Sequence, residues 1–128
     1  MKWKVDYIPA PPHVLVVFDG EFDLVDTLKL HEHLAADEHV LAGSPILMDC
    51  RKLVTPSIST DDIDAIARSF ARNAASFART RIAFWIASNV HFGLGRQLQG
   101  FLGEQAPGFD LLRTDDEVAA WLSRSAPQ

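Results

Sequence analysis

Polar and apolar residues alternate at the start of the chain, and a continuous apolar run follows them. Trp3, Val5 and Tyr7 are separated by charged residues, which is the period of a strand with one buried face. The proline-rich residues 8–12 end this strand, because proline has no amide hydrogen to donate to a ladder. Residues 14–18 are all apolar, as in a strand covered on both faces. The pattern predicts a hairpin whose first strand is the antiparallel edge of a sheet.

Strand and helix patterns alternate through the rest of the chain. Short apolar runs at residues 46–49, 82–87 and 109–112 predict three more strands. Four other segments have apolar residues at helical spacing, each after a polar residue that can accept hydrogen bonds from the first turn. These helices are expected to begin at Asp23 (running to about Asp37), at Ser59 or Thr60, at Ser88 or Asn89, and at Thr114.

The resulting order of elements is β-β-α-β-α-β-α-β-α. Consecutive parallel strands need a crossover, which a helix supplies, so the sheet is expected to be mostly parallel. A chain of 128 residues fits one domain. We therefore predict a single α/β domain over residues 1–128, with a mixed, mostly parallel five-stranded sheet and flanking helices.

Composition and charge exclude several classes of protein. The chain has 17 acidic and 12 basic residues and a net charge of −5, which is the wrong sign for a general nucleic-acid binder. No apolar run approaches the ~20 residues of a membrane-spanning helix, and the first residues lead into no signal-peptide core, so no membrane insertion is expected. Cys50 is the one cysteine, which excludes an intramolecular disulfide and favours a reducing cytoplasm.

Known catalytic and metal-binding motifs are incomplete in this sequence. The segment from His31 begins like a zinc-protease motif, but Ala35 stands where the second histidine belongs. His31 falls on the apolar side of its helix, where a hydrogen-bonded boundary imidazole is the preferred interpretation. Gly93 and Gly95 follow a strand, as in a dinucleotide fingerprint, but Leu98 replaces the third glycine. We therefore expect no enzyme, no metal and no bound cofactor.

A polar crevice is expected at the carboxyl ends of the parallel strands, where open α/β sheets bind their ligands. The polar residues expected to gather there are Asp19, Asp49, Cys50, Arg51, Ser88 and Asn89. The helix amides that follow Asn89 would offer an anion site at this place. Cys50 has two interpretations, a buried unreactive thiol or a thiolate stabilised by the adjacent Arg51, and the buried thiol is preferred.

A contact surface is expected on the helix that begins near residue 88. Its expected core face is formed by Val90, Leu94, Leu98 and Phe101. Phe92 then lies on the outer face, with Arg96 one turn further on. An exposed aromatic beside an arginine is typical of a contact surface, although single exposed apolar residues are also common.

Four segments together resemble a known family. Residues 16–23, VVFDGEFD, resemble the strand-Gly-x-hydrophobic-Asp entry of the STAS domains, found in anti-sigma-factor antagonists and sulphate transporters. Residues 46–53 look like the next STAS strand, which ends in an aspartate. Residues 87–96 and 116–122 look more specifically like the SpoIIAA-like branch of small bacterial single-domain proteins, largely without assigned function. The resemblance implies a STAS/SpoIIAA-like fold and a module that binds partners.

The resemblance also draws attention to Ser59. In the antagonists a regulatory serine sits where the second long helix begins, inside Asp-Ser-Ser-Gly, and that position matches Ser59. Here the surrounding residues are SIST, so the aspartate and the glycine are both missing. A phosphate would add charge at a surface that a partner covers, whereas a serine that caps the helix explains the residue without any modification. The helix cap is our prediction.

Two functions follow from these patterns. The first is a non-enzymatic protein-interaction or regulatory module, with a protein partner of unknown identity, no nucleic-acid partner, and a homodimer left open. The alternative is a protein that binds a small apolar or anionic metabolite in the crevice at the carboxyl ends of the strands. A deep apolar pocket would favour ligand binding, whereas a flat surface that exposes Phe92 and Arg96 would favour a partner.

Overall fold

A five-stranded sheet and five helices make up the residues that the computed structural model describes, which are 1–55, 58–103 and 108–125. The elements in chain order are β1 (Lys2–Pro9), β2 (Pro12–Glu21), α1 (Leu24–Ala35), α2 (Glu38–Ala42), β3 (Ile46–Val54), α3 (Thr60–Arg72), β4 (Ile82–Trp85), α4 (Asn89–Leu102), β5 (Phe109–Leu112) and α5 (Asp115–Ser125). The predicted α/β class with a mixed five-stranded sheet is confirmed. Within these ranges, no helix has both the length and the apolar character needed to cross a membrane.

The strands follow one another across the sheet in chain order, β1-β2-β3-β4-β5. β1 pairs with β2 in antiparallel register, with Trp3 opposite Phe18 and Tyr7 opposite Val14. The other three pairings are parallel, as helical crossovers require. The prediction that the first strand is the antiparallel edge of the sheet is therefore confirmed.

Several elements differ from the sequence prediction, among them β4, which ends at Trp85 rather than at residue 87. The first helix ends at Ala35 rather than Asp37, because Asp37 instead caps the short helix α2 through its side chain. Gly43 then ends α2 with a φ of 103°, a conformation that glycine adopts without strain. The strand predicted for residues 46–49 continues to Val54, because β3 stays paired with β2 beyond its buried part.

The two faces of the sheet carry separate apolar cores. The larger core lies between the sheet and the helices α1, α3 and α4, and includes Met48, Ile66 and Phe70. The smaller core lies on the opposite face, where Leu47 of β3 and Trp121 of α5 are buried. Adjacent residues of a strand point to opposite faces, which is why Leu47 and Met48 belong to different cores.

Helix α4 turns a different face to the sheet than its apolar residues predict. Val90 is 65% exposed and Phe101 is 43% exposed, whereas Leu98 is buried as predicted. Gly95 faces β5 so closely that a Cβ atom built on it would lie 2.7 Å from Cδ2 of Leu111. The predicted core face of α4 is therefore partly wrong. The side of the helix that contacts the sheet is centred on Gly95, which has no side chain and so gives no hydrophobic signal in the sequence.

Because α4 is oriented differently from the prediction, the residues on its outer surface differ as well. Phe92 does not lie on the outer face: it is half-buried and packs against the larger core. The Arg113 guanidinium lies 5.0 Å from the centre of its ring. Arg96 is exposed, as predicted, but it is not accompanied by an exposed Phe92.

Candidate functional site

An apolar cavity of about 110 Å³ lies between the sheet and the helices α1, α3 and α4. The sheet contributes Met48 and Phe84 to its wall, and α3 contributes Ile66 and Phe70. The cavity reaches the carboxyl ends of the parallel strands, since Ile86, which follows β4, also lines it. The crevice was predicted at this edge of the sheet, but the observed space lies under the helices and is apolar.

The wall of the cavity contains few polar side chains and, among the described residues, no Asp, Glu, Lys or Arg. The polar side chains that line it are those of Thr27, His31, Cys50, Thr55 and His91. An ion inside this wall would lose its hydration with no opposite charge to compensate, which is energetically costly. The cavity is therefore suited to an uncharged molecule.

His31 is the most deeply buried of these polar residues, with 2% of its surface exposed. Its Nδ1 atom lies 2.7 Å from Oγ of Ser69 on α3, and its ring packs 4.3 Å from that of Phe70. Burial, helped by the positive charge of Arg72, lowers the pKa of His31 to about 4. The imidazole is therefore neutral at neutral pH. The helical pattern placed His31 on the apolar side of α1, and the structure puts it in the core itself.

His91 closes the cavity wall from α4. Its Nε2 atom lies 2.9 Å from Oγ1 of Thr55, which follows β3. Its Nδ1 atom is enclosed and has no hydrogen-bond partner among the described residues. Burial lowers the pKa of His91 as well. Sequence reasoning missed this residue because it assigned the core face of α4 to Val90 and its helical neighbours.

The polar residues predicted for one crevice lie on two faces of the sheet. Cys50 faces the cavity, and burial together with the negative charge of Asp49 raises the pKa of its thiol, so the predicted buried thiol is confirmed. Asp49 is on the opposite face, where Oδ1 and Oδ2 accept hydrogen bonds of 3.0 and 2.8 Å from the Arg51 guanidinium. That guanidinium lies 3.5 Å from the centre of the Trp85 ring. Burial alone would raise the pKa of Asp49, but the bonds from Arg51 outweigh burial and lower it.

The remaining predicted residues are Asp19, Ser88 and Asn89, and they do not line the cavity. Asp19 is exposed on β2, opposite Lys2. Ser88 accepts a hydrogen bond from the His91 amide and so caps α4, as predicted. Asn89 is exposed and accepts a bond from Arg113. That these groups gather with Asp49 in a crevice stays a prediction.

Ser59 caps α3, as predicted. Its side chain accepts a 3.0 Å hydrogen bond from the Asp62 amide, and the Asp62 carboxylate accepts a 3.1 Å bond from the Ser59 amide. This reciprocal pair is a capping box. The neighbouring residue Ser57 lies outside the described residues.

Replacing Ser59 with alanine is expected to lower the free energy of unfolding by about 0.5–2 kcal/mol, because the substitution removes the capping hydroxyl. Urea unfolding of Ser59→Ala measures this loss. Thr60→Ala, which changes the first residue of the helix but not its cap, is the matched control. A loss as large in Thr60→Ala would contradict the assignment of the cap to Ser59.

The fold has a solved counterpart. No protein-family model and no curated protein matches the chain. The crystal structure of an uncharacterized protein of the DUF3478 family from Shewanella loihica PV-4, described as having a SpoIIAA-like fold, matches 94% of this chain and 92% of its own. The two share 13% sequence identity, with a TM-score of 0.57. The chain therefore has the SpoIIAA-like fold, the architecture that its sequence resembles.

Proposed function

We propose that this protein binds a small, largely apolar molecule in the cavity between its sheet and the helices α1, α3 and α4, and does so without catalysing a reaction. The observation that carries the proposal is the cavity itself, whose wall is almost entirely apolar. Protein cores are packed as densely as organic crystals and contain few voids larger than a water molecule. An apolar space of this kind, bordered by residues of the larger core, leaves its lining without contacts that a ligand would supply.

The volume of the cavity suggests the size of the molecule. An apolar cavity of about 150 Å³ in another protein stays dry and binds benzene, and the cavity here measures about 110 Å³. A group of about the size of one aromatic ring therefore fits within this volume without movement of the helices. This size supports a compact ligand, or one compact end of a longer ligand.

The polar groups in the wall support binding rather than catalysis. Cys50 carries the one thiol, and its raised pKa keeps it protonated and weakly nucleophilic. His31 and His91 are each hydrogen-bonded to a hydroxyl group, at Ser69 and Thr55. Neither histidine is hydrogen-bonded to the thiol, so the nucleophile and base of a catalytic pair are not joined among the described residues.

Toluene is expected to bind saturably to the folded protein and to raise its melting temperature with concentration, because a ligand of the native state alone stabilises it. Isothermal titration measures the affinity. Ile66→Phe adds volume at the wall of the cavity and is expected to weaken toluene binding at least tenfold. Val25→Phe adds similar volume at an exposed site on α1 and should leave binding unchanged. Absence of toluene binding, or equal affinity in Ile66→Phe, would contradict the proposal.

A protein-interaction role is the second candidate. Val54 and Val90 are 52% and 65% exposed, and they directly precede Thr55 and His91 in the chain, the two residues whose side chains meet at the cavity wall. Exposed apolar residues beside a ligand site are suited to contact with a partner. In this interpretation, substitution of Val54 and Val90 by aspartate would abolish partner contact and leave the affinity for toluene unchanged.

A further inference from the structure

The polar side chains of the cavity wall are not equally free to meet a ligand. The Thr27 hydroxyl donates to the carbonyl of Asp23, and the Cys50 sulfur lies 3.7 Å from the carbonyl of Met48. The Thr55 hydroxyl is hydrogen-bonded to His91. Each of these three groups already makes a polar contact, whereas the second nitrogen of each imidazole makes none with the described residues.

The two imidazoles differ in access. Nδ1 of His91 is enclosed by protein atoms and has no accessible surface for a ligand to contact. Nδ1 of His31 faces Ser69, which does not line the cavity, whereas the His31 ring does. The two nitrogens lie on opposite sides of an imidazole ring, so Nε2 of His31 points away from Ser69. The structure records no partner for this atom among the described residues, and the ring that carries it lines the cavity.

We propose that the ligand is an apolar molecule with one neutral hydrogen-bonding group, a hydroxyl or a carbonyl, and that this group bonds to Nε2 of His31. The inference rests on the proposed function and names the chemical class of its ligand. A neutral imidazole can donate or accept at Nε2, because the hydroxyl of Ser69 can donate to Nδ1 in the first case and accept from it in the second. Either type of polar group can therefore be paired at the same position.

A carboxylate is excluded by the same wall. A buried anion needs a cation or several hydrogen-bond donors, and the described wall has no lysine or arginine. His31 is not a substitute, because burial and Arg72 oppose its protonation at neutral pH. Hydrocarbons without a polar group can enter the cavity, but they leave Nε2 of His31 unpaired.

Phenol, toluene and benzoate represent a ligand with a neutral polar group, a hydrocarbon and a carboxylate. Each has one aromatic ring, and they differ in the polar group. Titration at pH 7 is expected to show binding of phenol and toluene and no binding of benzoate. In His31→Leu, the affinity for phenol should fall at least tenfold more than the affinity for toluene, because only phenol has a hydroxyl group that would be buried unpaired. In the control His33→Leu, which removes an exposed histidine from the same helix, both affinities should stay within threefold.

A second measurement uses the unmodified protein and does not depend on the folding of a variant. The ¹⁵N resonance of Nε2 of His31 should shift when phenol binds and stay in place when toluene binds. The proposal is overturned by equal losses of phenol and toluene in His31→Leu, by benzoate binding as tightly as phenol, or by a phenol-specific shift at His91 and none at His31. Failure of both phenol and toluene to bind the unmodified protein would instead contradict the proposed function.

Discussion

Lowering the pH from 7 to 4 is expected to remove about 3 kcal/mol from the free energy of unfolding, because His31 must stay unprotonated in the folded protein. Its pKa is lowered from 6.5 to about 4 on folding, and each pKa unit corresponds to about 1.4 kcal/mol. Between these two values the unfolded chain binds one more proton than the folded chain. Stability therefore rises with pH in this window and is lost as the pH falls through it.

Urea unfolding at pH 7 and pH 4 measures this decrease in the free energy of unfolding. In His31→Leu most of the decrease is expected to disappear, because the variant lacks the imidazole that causes it. His91 contributes in the same direction, because burial lowers its pKa too. The pKa of Asp49 is lowered from 3.8, so its contribution is lost chiefly below this range of pH. His33→Leu controls for the removal of a histidine from α1. An unchanged loss in His31→Leu would show that another group causes the acid sensitivity.

Trp121→Ala is expected to destabilise the protein by about 3–5 kcal/mol, the usual cost of removing a buried aromatic side chain. Trp121 is 1% exposed and is the residue by which α5 packs into the smaller core. Its indole also donates a 2.9 Å hydrogen bond to Asp110 of β5. The substitution removes both the packing and the bond that hold α5 on this face of the sheet.

Chemical denaturation measures the effect of Trp121→Ala, and Trp121→Phe divides it into its parts. Phenylalanine fills most of the volume and cannot donate to Asp110, so it should cause less than half of the loss. Val25→Ala, at an exposed position of α1, should stay within about 0.5 kcal/mol of the unmodified protein. A loss below 1 kcal/mol in Trp121→Ala would mean that α5 contributes little to stability.

The strands and most helix starts could be predicted from the sequence, because the patterns that indicate them involve only residues close together in the chain. Alternation at Trp3, Val5 and Tyr7 depends only on which residues face the core. In the structure Trp3 and Val5 are half-buried, as the alternation predicts, whereas Tyr7 is exposed. Capping is equally local: the side chains of Asp23, Ser59 and Ser88 each accept a bond from the backbone three residues on, as their positions predict. Local rules were therefore sufficient for the strands and for most helix starts.

The site depends on how the elements pack together, and here the sequence was less informative. Asp49 and Cys50 are neighbours in the chain, so they were grouped together, although a strand sends them to opposite faces. The core face of α4 was misassigned because Gly95 contributes no hydrophobic signal. The cavity itself is a space between helices and sheet, and its size depends on distances that no residue pattern encodes.

The close approach of α4 to β5 at Gly95 gives the protein a simple evolutionary route to a different ligand. Alanine at this position would bring a methyl group to 2.7 Å from the side chain of Leu111, which also lines the cavity. Either Leu111 changes its rotamer or α4 moves outward, and both change the room available to a ligand. Glycine and alanine codons differ by one nucleotide, so selection on ligand size could act here without altering the hydrogen bond that His31 offers.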